Sequence, residues 1–239
     1  MPTSLAHEIV AAAGGTNWEA ADRIEANRHL GGGIWGLKRI AGIAENGKVT
    51  VDVHRQHATI DRFGSEDMHA DYTPGRVELQ GRNGIVESSL DHPRASFAGH
   101  VLDTPWTPHQ LAYFIGYTMW TYTTEAWSLT LPGVKTEEVG NWTESGQTLR
   151  RLRVTYPASV TTHSSVQTFY ADSDGLIRRR DYEADVIGGA RSTQLISGHT
   201  ELAGLVIPTR RDVYPRDESD RALPSPLLVS IRLTDLDVA

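Results

Sequence analysis

The chain predicts a mainly β protein (α+β): an antiparallel curved sheet, half-barrel or barrel, enclosing a buried aromatic helix, with helices at the N-terminus. Three observations carry this. Period-two apolar alternation recurs in short segments separated by turn dipeptides such as Pro74-Gly75, Asn83-Gly84, Asp174-Gly175 and Gly188-Gly189, the pattern of a meander rather than of βαβ units. The run TPWTPHQLAYFIGYTMWTYTTE, 104–125, has no polar side, so as a helix it must be buried all round. Finally, 239 residues with 39% hydrophobic content can bury one sizeable core, and a single domain over 1–239 follows.

The elements are justified in order. Over 1–30, Ile9, Ala12 and Ala13, then Trp18, Ala21 and Ile24, recur at three- and four-residue spacing around Gly14-Gly15, which predicts two short N-terminal helices. Gly31-Gly32-Gly33 would end the second and lead into a strand. A nucleotide-binding glycine loop has the reverse context, strand before and helix after. Antiparallel strands are expected over 34–103, with 34–44 and 48–61 paired through Asn46-Gly47, followed by 68–72, 75–80 and 84–90. After the buried helix at 104–125, capped by Thr104 with Pro105 at its first turn, strands fill 148–238: 148–156, 166–171, 175–186, 191–201, 206–214 and 227–238. The polar, proline-containing segment 215–226 reads as a surface loop.

Composition narrows the partners. A formal net charge of −7 argues against nucleic acid, whose backbone demands a basic surface. His7 and Glu8 interrupt the only apolar stretch near Met1, so no secretory signal is read and a cytoplasmic location is expected. No stretch is long and apolar enough for a membrane span. The absence of cysteine removes disulfides, thiolate metal sites and cysteine nucleophiles together. No HExxH, GxSxG or dinucleotide fingerprint occurs, and no cofactor and no metal are expected; His54 and His57, three apart, would fall on opposite faces of a strand.

The helical N-terminus, the long meander, the central aromatic helix and the phrases FYADSDGLIRRRDYEADV and ELAGLVIPTRRDVY resemble the half-barrel architecture of lipoprotein-carrier (LolA-like) proteins. That resemblance implies a curved sheet with helices in its concavity and a greasy cavity for acyl chains. It covers the order of elements and contains no diagnostic motif, so it assigns no site residue. It also implies export, in conflict with the missing signal, and a bacterial cytosolic group sharing such a sheet is the other match.

Candidate chemistry gathers beside the helix. In DHPRASFAGHVLDTPW, 91–106, His92, Arg94, His100 and Asp103 could reach a cavity mouth, and loops on rigid scaffolds commonly hold functional groups. His100 is the first acid/base candidate, with Arg94 beside it; the competing reading makes the segment structural, satisfying the helix start. His163 is a further candidate. Strand alternation places His199 and Glu201 on one face, where the carboxylate could orient the imidazole, although such pairs are commonly structural. Trp106, Tyr113, Tyr117, Trp120 and Tyr182 are the expected ligand-binding aromatics. Alternation puts Arg178 and Arg180 on the face of Tyr182, where an inward guanidinium could clamp a carboxylate or phosphate; the alternative is a solvated ladder of opposite charges.

The expected function is a cofactor-independent enzyme of the lyase, isomerase or cyclase type, acting on a hydrophobic small molecule in a barrel cavity by acid/base chemistry. The alternative is a non-catalytic carrier or sensor of a lipid-like or aromatic ligand. A third reading is an interaction module using an exposed sheet edge.

Overall fold

The computed structural model describes residues 4–144 and 146–239. Helix α1 (Leu5–Ala12), capped by Ser4, leads through a 3-10 turn, Gly15–Ala20, into strand β1 (Arg23–Gly31). The second N-terminal helix expected over 1–30 is therefore corrected. Ile24, Ala26, Arg28 and Leu30 alternate inward along β1, and an arginine at a core position disguises the period of two. Arg28 is tolerated there because its guanidinium donates to the carbonyls of Ala44, Lys48 and Asp61, the satisfaction that a buried charge requires.

The strand expected over 34–44 is also absent. Ile34–Leu37 forms one helical turn, α2, and a loop follows in which Arg39 is left-handed at φ 58°. Asn46-Gly47 consequently opens β2 (Asn46–Asp52) rather than turning a hairpin, and β2 pairs with β1. A turn at 53–57 separates β2 from β3 (Ala58–Asp61). Then β4 (Met68–Thr73), β5 (Arg76–Gly81) and β6 (Val86–Asp91) continue the meander to one edge.

Helix α3 (Pro108–Thr123) carries the chain away from that edge. Beyond it come β7 (Lys135–Glu144), β8 (Gln147–Thr155), β9 (Val166–Ala171), β10 (Ile177–Ala184), β11 (Ala190–Leu202), β12 (Leu205–Pro215) and β13 (Val229–Val238). Sequence reading missed β7, because KTEEVGNWTE is polar on both faces and bulged between Glu138 and Asn141. It is an edge strand, which solvent leaves free of alternation.

One curved, unclosed sheet of 13 antiparallel strands results, ordered β6-β5-β4-β3-β2-β1-β13-β12-β11-β10-β9-β8-β7. The first and last strands meet at its centre. Its two edges, β6 and β7, are consecutive in sequence, so their connection must cross the open side. Helix α3 lies on that crossover, packed against β2 to β5 and reaching β12.

Every residue of α3 from Gln110 to Thr123 is buried, as its apolar circumference requires. Its N-terminus departs from expectation: Thr107, not Thr104, is the cap. The Thr107 hydroxyl accepts from the Gln110 N–H, while the Gln110 side-chain oxygen accepts from the Thr107 N–H, a reciprocal capping box with Pro108 in the first turn. Thr104 instead offers its carbonyl to the Lys38 ammonium. Where α3 crosses β4 the helix surface is Gly116, and a Cβ built there would enter the Tyr72 ring. Gly116→Ala should therefore destabilise the protein by about 3 kcal/mol, the upper range for overpacking a core, although alanine is the better helix former. The urea midpoint of the variant against the parent measures this.

Candidate functional site

A helix whose last turn lies inside a protein must find partners for its final carbonyls. At the end of α3, Thr123 donates its hydroxyl to the Met119 carbonyl and Thr124 to that of Trp120. The guanidinium of Arg211, from β12, donates to the Tyr122 carbonyl at 2.8 Å. A cation there also complements the negative end of the helix dipole. Arg211 meets the Glu125 carboxylate at 2.9 Å, and Arg180, from β10, meets the other carboxylate oxygen at 3.3 Å. Gln194 and Gln167 accept from the two arginines, and Thr162 accepts from Arg180. All of these side chains are buried. The inward Arg180 does clamp a carboxylate, and the carboxylate belongs to this chain.

Above this network lies His163. Its ring stacks on Tyr182 with centroids 3.9 Å apart and planes 3° from parallel. The Tyr117 hydroxyl lies 3.2 Å from Nδ1 and the Tyr122 hydroxyl 2.6 Å from Nε2. A neutral imidazole fits both, donating through one nitrogen and accepting through the other. Burial, followed by the positive charges of Arg180, Arg94 and Arg211, holds its pKa well below the usual imidazole value.

His163 points inward, with Thr162 beside it, from an irregular strap, 157–165, laid over the mouth of the half-barrel. The strap is latched on both rims. On one side, the Gln56 amide donates to the Thr161 carbonyl and accepts from its N–H, both at 2.7 Å. On the other, Arg94 donates to the carbonyls of Thr162 and His163 and to Asp185. Val160 and Pro74 form the partition between two clefts. The first, about 520 Å³, has a wall of Trp120, Leu131, Pro132 and Val160 and a rim of His54, Arg55 and His57. The second, about 410 Å³, is bounded by Tyr113, Arg94, Asp185 and the strap itself. Both fall within the ordinary range of ligand sites, roughly 300–1,000 Å³.

The expected site residues divide accordingly. Tyr117, His163 and Tyr182 come together; Arg94 and Tyr113 line one cleft and Trp120 the other, its indole donating to the Asp52 carbonyl. The remaining four lie elsewhere. His100 rests edge-on against Phe97, half-buried, and lines neither cleft; burial and Lys38 lower its pKa. Trp106 packs between Phe97 and Phe114 under the Lys38 ammonium. His199 does not pair with Glu201: its nitrogens face the Arg178 guanidinium at 3.0 Å and the Ile177 carbonyl at 3.1 Å, while Glu201 stays in water. Nε2–H therefore donates to Ile177 and Nδ1 accepts from Arg178, a neutral tautomer with both nitrogens engaged. Sequence reading passed over Gln56, Tyr122 and Glu125. Among the described residues, no three histidine or acidic side chains converge as metal ligands, and no helix is long and apolar enough to cross a membrane.

No protein-family model matches the chain, and no curated protein sequence matches it. Solved structures do. A DUF1329 family protein from Desulfovibrio piger superposes with a TM-score of 0.54 over 98% of this chain and 91% of its own, at 11% identity. A LolA superfamily protein from Nitrosomonas europaea covers 99% of this chain and 94% of its own, at 9% identity and a TM-score of 0.45. The half-barrel resemblance holds as a fold. The expected acid/base enzyme is corrected: of the imidazoles expected to move protons, His163 is stacked and sealed, His199 is committed to structural bonds, and His100 lines neither cleft.

Two outcomes follow from the buried network. Glu125→Ala should cost about 3–5 kcal/mol in chemical denaturation, because it strands Arg180 and Arg211 without a counter-charge. Because the folded His163 refuses a proton that the unfolded ring accepts, its contribution is intact above about pH 6.5. It is lost as pH falls below that value, at up to about 1.4 kcal/mol per pH unit. Denaturant titrations from pH 8 to pH 5 should show this slope, and His163→Gln should flatten it by one proton.

Proposed function

We propose that this protein binds and carries, or senses, an amphiphilic lipid-like or aromatic ligand without transforming it. The observation that carries the reading is the 520 Å³ cleft at the mouth, with an apolar wall of Trp120, Leu131, Pro132 and Val160 facing a rim of His54, Arg55 and His57. An acyl or aromatic body packs on the wall, and its polar head stays at the rim in water. Asp71 bonds to His57 at 2.9 Å and raises its pKa, and Asp52 bonds to Arg55 at 2.8 Å, so the rim meets a polar head group with ion-paired, hydrogen-bonding side chains. Acid/base chemistry receives no such support. Of the imidazoles with partners on both nitrogens, His163 is 1% exposed and near three guanidinium groups, and His199 is held between Arg178 and the Ile177 carbonyl.

The reading is tested with a fatty acid brominated on its acyl chain, which quenches nearby indoles on contact. Saturable quenching is expected, and Trp120→Phe should remove most of it while leaving the other five tryptophans unaffected. Replacing Val160 with aspartate should weaken binding by about 1 kcal/mol or more, the scale of one buried apolar side chain. Ligand recovered after long incubation should have unchanged mass. Absence of saturable quenching, or recovery of a chemically altered ligand, overturns the proposal.

A further inference from the structure

The surroundings of His163 have the form of a recognition site occupied by the chain's own side chain. The box has a flat face, Tyr182, stacked parallel to the ring. It has one hydroxyl at each end of the ring, from Tyr117 and Tyr122, and the Phe114 ring nearby with its centroid 6.1 Å away. Stacking fixes the plane and the two hydroxyls fix orientation within it, which is how aromatic and polar contacts divide the work in small-molecule sites.

The occupant and the walls belong to different bodies. Tyr117, Tyr122 and Phe114 stand on α3 and Tyr182 on β10, whereas His163 belongs to the irregular strap. Clefts flank that strap on both sides, and side chains, Gln56 and Arg94, latch it to the rims. The groups facing the ring also restrict its charge. Arg180 and Arg211 approach from β10 and β12, Arg94 from the turn Pro93–Phe97; the nearby carboxylates, Glu125 and Asp185, are already bound to them. Burial, together with this excess of positive charge, disfavours a cationic ring.

We propose that the tyrosine box is a ring-binding subsite, filled by the His163 imidazole when no ligand is bound and otherwise by a planar, uncharged aromatic or heteroaromatic ring with a hydrogen-bonding atom at each end. The strap swings outward to admit it, opening the box to the adjoining clefts. This rests on the carrier reading and narrows the ligand to one that includes such a ring.

4-Methylimidazole, kept neutral at alkaline pH, is the probe. His163→Gly, shown folded by circular dichroism, should bind it saturably and at least 10-fold tighter than the parent, because the tethered ring no longer competes. Tyr182→Ala added to that variant should reverse the gain, and acidification that protonates the probe should abolish binding. Equal affinity in parent and His163→Gly, or no saturable binding by the folded variant, overturns the proposal. Should His163→Gly fail to fold, the parent decides. Because the chain has no cysteine, a dye on Ser159→Cys, which lines the same cleft as Trp120, reports strap displacement by loss of indole quenching. Brightening with saturating probe supports the subsite, and no response overturns it. The brominated fatty acid reports independently: its failure with ring binding retained removes the carrier reading alone, and the converse removes the box alone.

Discussion

The buried C-terminal end of α3 is the constraint on which the rest of the structure depends. A helix that is apolar all round can end inside a protein only where other groups take over its last carbonyls. Here the solution is a run of threonines together with Arg211, whose charge then needs Glu125, which in turn draws Arg180 inward from β10. Two guanidinium groups around one carboxylate leave an excess of positive charge in the interior. Burial, reinforced by that excess, keeps the neighbouring imidazole of His163 neutral, and a neutral ring is what the two tyrosine hydroxyls and the Tyr182 face can hold.

Topology explains why the candidate site lies at the mouth. With the first and last strands paired at the centre of the sheet, the free edges are β6 and β7, and the chain between them must traverse the concavity. Helix α3 fills the middle of that space, closely enough that Gly116 touches Tyr72. What remains open is the rim, where strap 157–165 is held by Gln56 and Arg94 across two clefts. Wide interior walls of tyrosine and tryptophan are thereby converted from a continuous cavity into a packed core with a divided entrance.

Buried and half-buried charged groups serve this architecture. Arg28 organises the loop after α2, Lys38 ties that loop to the entry of α3, and Arg178 fixes the His199 tautomer. Each is a charged side chain whose hydrogen bonds to backbone or imidazole offset the cost of leaving water. His199 was read as catalytic because its true partner, Arg178, lies 21 positions away on another strand, where cluster reading along the chain does not look.

By itself the sequence determined the fold class, the buried helix and most of the second meander, because these rest on local signals. Alternation, turn dipeptides and an apolar circumference are written within a dozen residues and hold regardless of what packs where. Local signals failed at β1, where Arg28 sits at a core position, at 34–44, where a left-handed Arg39 breaks the expected strand, and at β7, whose exposed edge has no face to alternate against. For the site, Tyr117, His163, Tyr182 and Arg94 were legible as residue types, but their assembly was not. Glu125 meets Arg211 across 86 positions, Gln56 meets Thr161 across 105, and Tyr122 reaches His163 across 41. Contacts at that separation are set by sheet order and strap placement, and only the tertiary structure decided that a histidine expected to move protons would be enclosed as a neutral ring.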